Sequence, residues 1–100
     1  MLLAEHLKNC GDLNGVVYDL QEVGDGLEMH NHTEEDAHIT VVARGRLKVI
    51  GSGWEKEIEA GQIMNFLANQ PHELRALEPN TRIINIVKKH GGVVNDAVKE

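Results

Sequence analysis

Four histidines are the residues of this sequence with the clearest capacity for chemistry. His30 and His32 lie two positions apart, His38 follows six positions later, and His72 lies far downstream. A β-strand points residues i and i+2 to the same side, so His30 and His32 are expected to direct two imidazoles at one point. Neutral imidazole is a common metal ligand. The spacing therefore predicts a metal site.

No other catalytic signature competes with these histidines. No serine, cysteine or lysine occupies a recognisable nucleophile setting, and Gly51-Ser52-Gly53 is interpreted as a hairpin turn because no helix with a lysine follows it. Cys10 is the only cysteine and is interpreted as a spare thiol. His6 and His90 are interpreted as surface or hydrogen-bonded histidines. The few conceivable general acids or bases, each more simply interpreted as a packing or surface residue, are Tyr18, Glu28 and Thr40.

Length and composition predict one small domain. The chain has 100 residues, of which 41% are hydrophobic, and a formal net charge of −6. A chain of this size has room for a single core. Its acidic balance, without runs of Lys or Arg, argues against nucleic acid or anionic membrane as a partner. The lack of a long apolar segment and of a basic leader predicts a soluble, cytoplasmic protein.

Short β-rich runs separated by turn residues must position the histidines. Turn signals containing Gly, Pro or Asn separate seven or eight such runs, which predicts a β-sandwich or closed barrel. Residues 2–9 are predicted to form a brief helix because Leu3 and Leu7 lie one turn apart. The predicted strands cover residues 16–20, 27–32, 38–43, 46–50, 54–58, 63–67, 72–77 and 82–88.

The stretch from Gly24 to Gly45 resembles the first signature motif of the cupin superfamily. In that motif five residues separate a glycine from a His-x-His pair, and a third ligand and a second glycine follow. Gly24 precedes His30 and His32 at this interval, and Gly45 follows His38 at the interval that normally separates the third ligand from its glycine.

The stretch from Gly61 to His72 resembles the second cupin motif. Gly61 opens it and His72 falls at its histidine position, whereas Leu67 and Asn69 replace the usual Pro and Gly. Asn tolerates positive φ better than most residues, so Asn69 is a sensible replacement for a turn glycine. Ala76 replaces the asparagine that often closes the motif.

The resemblance implies an all-β fold, the double-stranded β-helix or jelly-roll barrel of the cupin type, with a metal inside. It places one cupin domain over residues 1–100, with the barrel core at about 16–88. The remaining parts are an N-terminal segment over residues 1–15, which carries the short predicted helix, and a C-terminal tail over residues 89–100.

The third ligand is where the sequence departs from the usual cupin pattern, which has glutamate there. Counting forward from His32 leads to Asp36, whereas counting back from Gly45 leads to His38. Asp36 belongs to the acidic run 33–36, which is more typical of a solvated loop. We therefore predict His30, His32, His38 and His72 as the ligands, with Asp36 as the alternative to His38.

Four neutral nitrogen ligands suit a divalent transition metal, either Fe, Mn, Ni, Cu or Zn, and affinity alone does not choose among them. Cupins with all-histidine sites include dioxygenases, so the resemblance implies a metal-dependent oxidoreductase acting on a small organic molecule. The alternative is a non-catalytic cupin module that stores, senses or is stabilised by a metal or small ligand. A tetrahedral zinc with four histidines would be closed and structural.

Apolar side chains are expected to line the site and to cover part of the surface. The N-terminal leucines and exposed hydrophobic strands predict a homodimer, because small cupins commonly pair through their sheets. The residues predicted for the pocket wall, or for ordinary core, are Met64, Phe66, Leu74, Ile84 and Ile86.

Overall fold

A computed structural model describes residues 2–10, 13–31, 35–66 and 69–89, with side chains described for residues 15–31, 38–66 and 69–86. These residues form nine strands and no helix. The strands are β1 (Leu2–Cys10), β2 (Leu13–Leu20), β3 (Gly26–His30), β4 (Glu35–Arg44), β5 (Arg46–Gly51), β6 (Trp54–Glu59), β7 (Ile63–Phe66), β8 (His72–Ala76) and β9 (Thr81–Lys89).

The strands pair antiparallel into two sheets that enclose one core. The five-stranded sheet has the order β1-β2-β9-β4-β7 and the four-stranded sheet the order β3-β8-β5-β6. Alternation along the strands places one face of each sheet inside, as in β5, where Leu47 and Val49 are fully buried between partly exposed neighbours. The all-β architecture predicted from the sequence is confirmed. The buried core consists of Leu20, Val42, Leu47, Val49, Ile58, Phe66, Leu74, Ala76 and Ile83.

The prediction of a helix over residues 2–9 is wrong. This segment is strand β1, which pairs with β2 from Leu2 opposite Leu20 to Cys10 opposite Leu13. An isolated helix of this length is marginal in water, and most of the stability of such a segment comes from tertiary contacts. Pairing with β2 satisfies the backbone of β1, so the strand is preferred over the helix.

Turns with positive φ connect the strands where the sequence motifs placed them. Asn69 has φ 64°, which confirms its role in place of the motif glycine. Gly45 has φ 89° between β4 and β5, and a Cβ there would overlap the side chain of Thr81. The hairpin between β5 and β6 at Gly51-Ser52-Gly53 is also confirmed. No helix capable of spanning a membrane occurs in the part of the chain that is described.

Candidate functional site

Three of the predicted histidines come together inside the barrel. His30 is on β3 and His72 on β8, both in the four-stranded sheet, and His38 is on β4 of the five-stranded sheet. The ring centroids of His30 and His72 are 4.4 Å apart, and those of His38 and His72 are 5.5 Å apart. His72 is fully buried and His38 is 3% exposed. The cluster therefore bridges the two sheets.

An irregularity in β3 brings His30 opposite His72. Leu27 pairs with Leu74 and His30 with His72, so β3 contains one residue more than β8 between the two pairs. This extra residue breaks the predicted alternation of β3. Leu27 packs against the core although it lies three positions from His30, and Met29 is 46% exposed. Glu28 is exposed, in agreement with its interpretation as a surface residue.

The rings of His30 and His72 are held in the same way. His30 Nδ1 is 2.6 Å from the carbonyl oxygen of Glu28, and His72 Nδ1 is 2.8 Å from that of Gln70. A carbonyl oxygen accepts, so each Nδ1 carries the proton and each Nε2 carries the lone pair. A backbone carbonyl on the second nitrogen is the usual support of a metal-binding histidine, because it fixes both tautomer and ring orientation.

Phe66 forms the apolar wall of the cluster. Its ring stacks on His72 with centroids 3.9 Å apart and planes 15° apart, and it meets His38 edge-on at 6.0 Å. Leu74 is also buried and Met64 packs against the core, as predicted.

The prediction is wrong for Ile84 and Ile86, which are partly exposed. Burial along β9 falls on Thr81, Ile83 and Asn85, so the two isoleucines alternate onto the outer face of the sheet.

His38 lies beside His72, whereas the side chain of Asp36, the alternative ligand, lies outside the described residues. The strand begins earlier than predicted, because Glu35 and Asp36 belong to β4 and not to a loop. The pairing of β4 with β9 has an irregularity in register between Glu35 and Ala37. The Asp36 side chain, His32 and His90 lie outside the described residues, as does the side chain of His6, so their roles stay predictions.

A buried polar pair beside the cluster was missed by the sequence reasoning. Thr40 Oγ1 donates a 2.8 Å hydrogen bond to Asn85 Oδ1. Thr40 is fully buried and Asn85 is 5% exposed. The sequence indicates Thr40 only as a conceivable acid or base that is more simply a packing or surface residue. The signal in the sequence for Asn85 is an amide within the otherwise apolar run 83–87.

The donor set suits a divalent transition ion, although the described residues alone do not complete a site. Two imidazoles that share one ion have ring centroids roughly 4.5–5.5 Å apart, given the usual metal–nitrogen distance. The centroid distances from His72 to His30 and to His38 are close to this range. Among the described residues, however, no group of three or more His, Cys, Asp or Glu could hold an ion. His32, the remaining predicted ligand, would have to complete the site.

A surface cleft of about 210 Å³ lies at the other end of the five-stranded sheet and does not include the histidines. Arg82 donates hydrogen bonds of 2.7 and 3.1 Å to Asp19 there, and the hydrogen bond raises the pKa of the guanidinium. The cleft is far from the histidines, because Arg44, which lines it, is six positions along β4 from His38, or roughly 20 Å. The cleft is lined by Asp19, Leu20, Gln21, Arg44, Asn80 and Arg82.

Comparisons with known proteins identify the fold. No protein-family model matches the chain, and no curated protein matches it. Among solved structures, KdgF from Halomonas sp. superposes with a TM-score of 0.78 at 21% identity, covering 91% of this chain and 81% of that one. A cupin superfamily protein from Desulfitobacterium hafniense gives a TM-score of 0.75 at 8% identity, covering 89% and 78%.

A third similar structure is oxalate decarboxylase from Bacillus subtilis, a protein described as having Mn(II) centres. It superposes with a TM-score of 0.68 at 20% identity, covering 85% of this chain and 23% of that chain. The resemblance inferred from the two histidine motifs is thus confirmed at the level of the fold: this protein has the double-stranded β-helix architecture of the cupin superfamily.

Proposed function

We propose that this chain is a metal-binding cupin domain and that His30, His32, His38 and His72 are the ligands. The observation that carries the proposal is the matched support of two neighbouring rings. His30 and His72 each donate Nδ1–H to the backbone carbonyl two residues earlier, which leaves Nε2 of both rings as the nitrogen able to bind an ion.

The surroundings of the cluster favour neutral, metal-binding imidazoles. Phe66 stacks on His72, and His72 and His38 are buried, so water has little access to either ring. Several protonated imidazoles this close together in an apolar interior would repel one another. Neutral rings avoid that repulsion and are the form that binds metal.

The activity proposed for this centre is oxygenase chemistry on a small organic molecule. An ion with four histidine ligands and two further coordination positions would supply a Lewis-acid or redox centre. The protein's own contribution would be to fix the imidazoles through Glu28 and Gln70 and to exclude water with Phe66 and Leu74.

The second candidate is a non-catalytic module that binds a metal or a small ligand for storage, sensing or stability. The burial of His38 and His72 favours it, because a catalytic centre needs a route for substrate. The described surface cleft, which lies at the opposite end of the sheet, offers no such route.

The metal is proposed to be Fe, Mn, Ni, Cu or Zn. Manganese is supported by the similarity in fold to oxalate decarboxylase, a protein with Mn(II) centres. The ligand would be a small molecule. A cytoplasmic location and the lack of nucleic acid and membrane partners also stay predictions.

Metal analysis combined with a histidine variant tests the proposal. Purified protein should contain or take up one divalent transition ion per chain. His72→Ala should weaken metal binding by at least about 100-fold, because it removes a direct ligand. The matched control is His6→Gln, which changes a histidine outside the predicted site and should leave uptake unchanged. A wild-type protein that binds no transition metal would contradict the proposal.

Oxygen uptake separates the two candidate functions. Wild-type protein loaded with Fe(II) or Mn(II) is supplied with thiols, diketones and small organic acids in turn. Consumption of O₂ that depends on one of these compounds, and that disappears in His72→Ala, supports the oxygenase. A closed four-histidine zinc site without exchangeable water would instead favour the structural module.

A further inference from the structure

The Thr40–Asn85 pair places an oriented amide inside the barrel. Both side chains belong to the inner face of the five-stranded sheet, where their strands pair directly with each other. Burying an amide and a hydroxyl costs free energy unless their hydrogen-bonding groups are satisfied. The bond from Thr40 Oγ1 to Asn85 Oδ1 satisfies one of those groups.

This bond determines which end of the amide is available. Oδ1 of Asn85 accepts from Thr40, so the amide oxygen is directed at Thr40 and the two N–H donors on Nδ2 are directed away from it. Among the described residues, Nδ2 makes no hydrogen bond. Its two donors are therefore the groups with which the amide can bind a small molecule.

The amide of Asn85 adjoins the histidine cluster. Thr40 follows His38 by two positions on β4, so their side chains share the inner face at a separation of roughly 7 Å. Asn85 pairs with Thr40 and Val87 pairs with His38, which makes Asn85 a diagonal neighbour of His38 at about 7–8 Å. One small molecule can span this distance.

We propose that Asn85, oriented by Thr40, is a specificity-determining residue that recognises a carbonyl or carboxylate oxygen of the ligand bound at the histidine cluster. This inference rests on the proposed function, since it needs a ligand at the site. The amide presents two N–H donors, and its oxygen is directed at Thr40. The matching part of the ligand is therefore expected to accept hydrogen bonds, and an ammonium group facing these donors would be disfavoured.

Two acids that differ in one acceptor test the inference with zinc-loaded protein. The probes are 4-oxopentanoate and pentanoate, which carry the same charge and differ in a ketone. One neutral hydrogen bond should make the ketone acid bind about three- to tenfold more tightly. Titration calorimetry measures both affinities, and zinc content is determined separately in every sample.

Three variants test whether Asn85 causes the preference for the ketone acid. Asn85→Leu should bring the ratio of the two affinities to about one, and Thr40→Val should lower it because the amide loses its anchor. Thr81→Val is the matched control, since it removes another fully buried hydroxyl of the same sheet, and it should preserve the ratio. Equal affinities in the wild type, no binding of either acid, or an unchanged ratio in Asn85→Leu would overturn the inference.

A spectroscopic measurement tests the role of Asn85 independently of whether the proposed metal binding is correct. In ¹⁵N-labelled protein, 4-oxopentanoate should shift the side-chain amide resonance of Asn85 and pentanoate should not. If the wild type takes up no metal, the proposed function fails, and the same titration of metal-free protein decides the role of Asn85. A shift with the ketone acid alone supports that role, and its absence overturns it.

Discussion

The hydrogen bonds of single histidine rings decide what the cluster can bind. His72 is stacked on Phe66 and tied to Gln70, so neither its tilt nor its tautomer is free to change. His30 is tied to Glu28 through the same atom. Ring nitrogens fixed in this way lose little conformational freedom when they bind an ion, which favours affinity.

Tyr18 provides a prediction for alkaline pH. It is the only tyrosine, it packs against the core, and burial raises the pKa of its phenol. The pKa of the phenol is higher in folded protein than its unfolded value of about 10, so the buried neutral phenol contributes to the free energy of unfolding. This contribution is fully present below a pH of about 10. It is lost as the pH rises through the folded-state pKa.

We therefore expect tyrosinate absorbance to appear above the ordinary pKa of about 10 in folded protein. The free energy of unfolding, measured with urea, should fall more steeply at high pH in the wild type than in Tyr18→Phe. A wild type and a Tyr18→Phe variant with parallel pH profiles would contradict the assignment.

At the scale of the residue, the sequence allows local conformational requirements to be predicted. Asn69 could be placed in a turn because few residues tolerate positive φ. The histidines could be selected because their chemistry and spacing are local properties. The Thr40–Asn85 bond could not, because its partners are 45 positions apart and their pairing depends on the register of β4 against β9.

At the scale of whole strands, two bulges limited what alternation could predict. One lies in β3 ahead of His30 and the other in β4 ahead of His38. A bulge adds a residue to one strand of a pair and reverses the side-chain parity beyond it. Sequence spacing does not reveal a bulge, so the position of Leu27 relative to His30 could not be derived. Most strand positions were nevertheless predictable from turn residues.

The turn between β4 and β5 gives a prediction about the stability cost of replacing its glycine. Gly45 and Gly53 have similar φ values, 89° and 84°, but a Cβ at Gly45 overlaps Thr81 whereas one at Gly53 meets nothing within 4 Å. Gly53→Ala should cost about 1–2 kcal/mol from backbone strain alone. Gly45→Ala should cost about 1–3 kcal/mol more because of the overlap.

Urea denaturation of both variants measures the difference, with Gly53→Ala as the control for φ. The double variant Gly45→Ala with Thr81→Ala removes Oγ1, the atom of Thr81 nearest to the added Cβ. Compared with Thr81→Ala alone, it should lose less stability than Gly45→Ala loses in the wild type, while the backbone strain remains. Equal losses of stability at Gly45 and Gly53 would contradict this account of the turn.

On the scale of the molecule, the outer face of the five-stranded sheet carries a band of aliphatic side chains. Ile63 is 63% exposed, and its pairing partner Val41 is partly exposed. Contiguous apolar patches on a protein surface mark interaction sites. The described members of this band are Val17, Ile39, Val41, Ile63, Ile84 and Ile86.

We expect a second copy of the chain to cover this band, forming the predicted homodimer. Val41→Glu should convert the dimer to a monomer in sedimentation velocity, because it places a charge at the centre of the band. Val23→Glu is the matched control at an exposed valine in the turn between β2 and β3, and it should leave the mass unchanged. A monomeric wild type in dilute solution would refute the expectation.

The hairpin between β5 and β6 gives the barrel a built-in optical reporter. Trp54 is the only tryptophan, and its indole lies against Gly51, where a side chain would overlap it. Gly51 pairs with Trp54 on one side and with His72 on the other, so the backbones of Trp54 and His72 are two strand spacings apart, about 10 Å. Because the indole lies over Gly51, it is nearer to His72 than the backbone of Trp54 is. A paramagnetic ion at the histidines would quench the fluorescence of this single indole. Occupancy of the barrel can therefore be followed in real time in the unlabelled, unmodified protein.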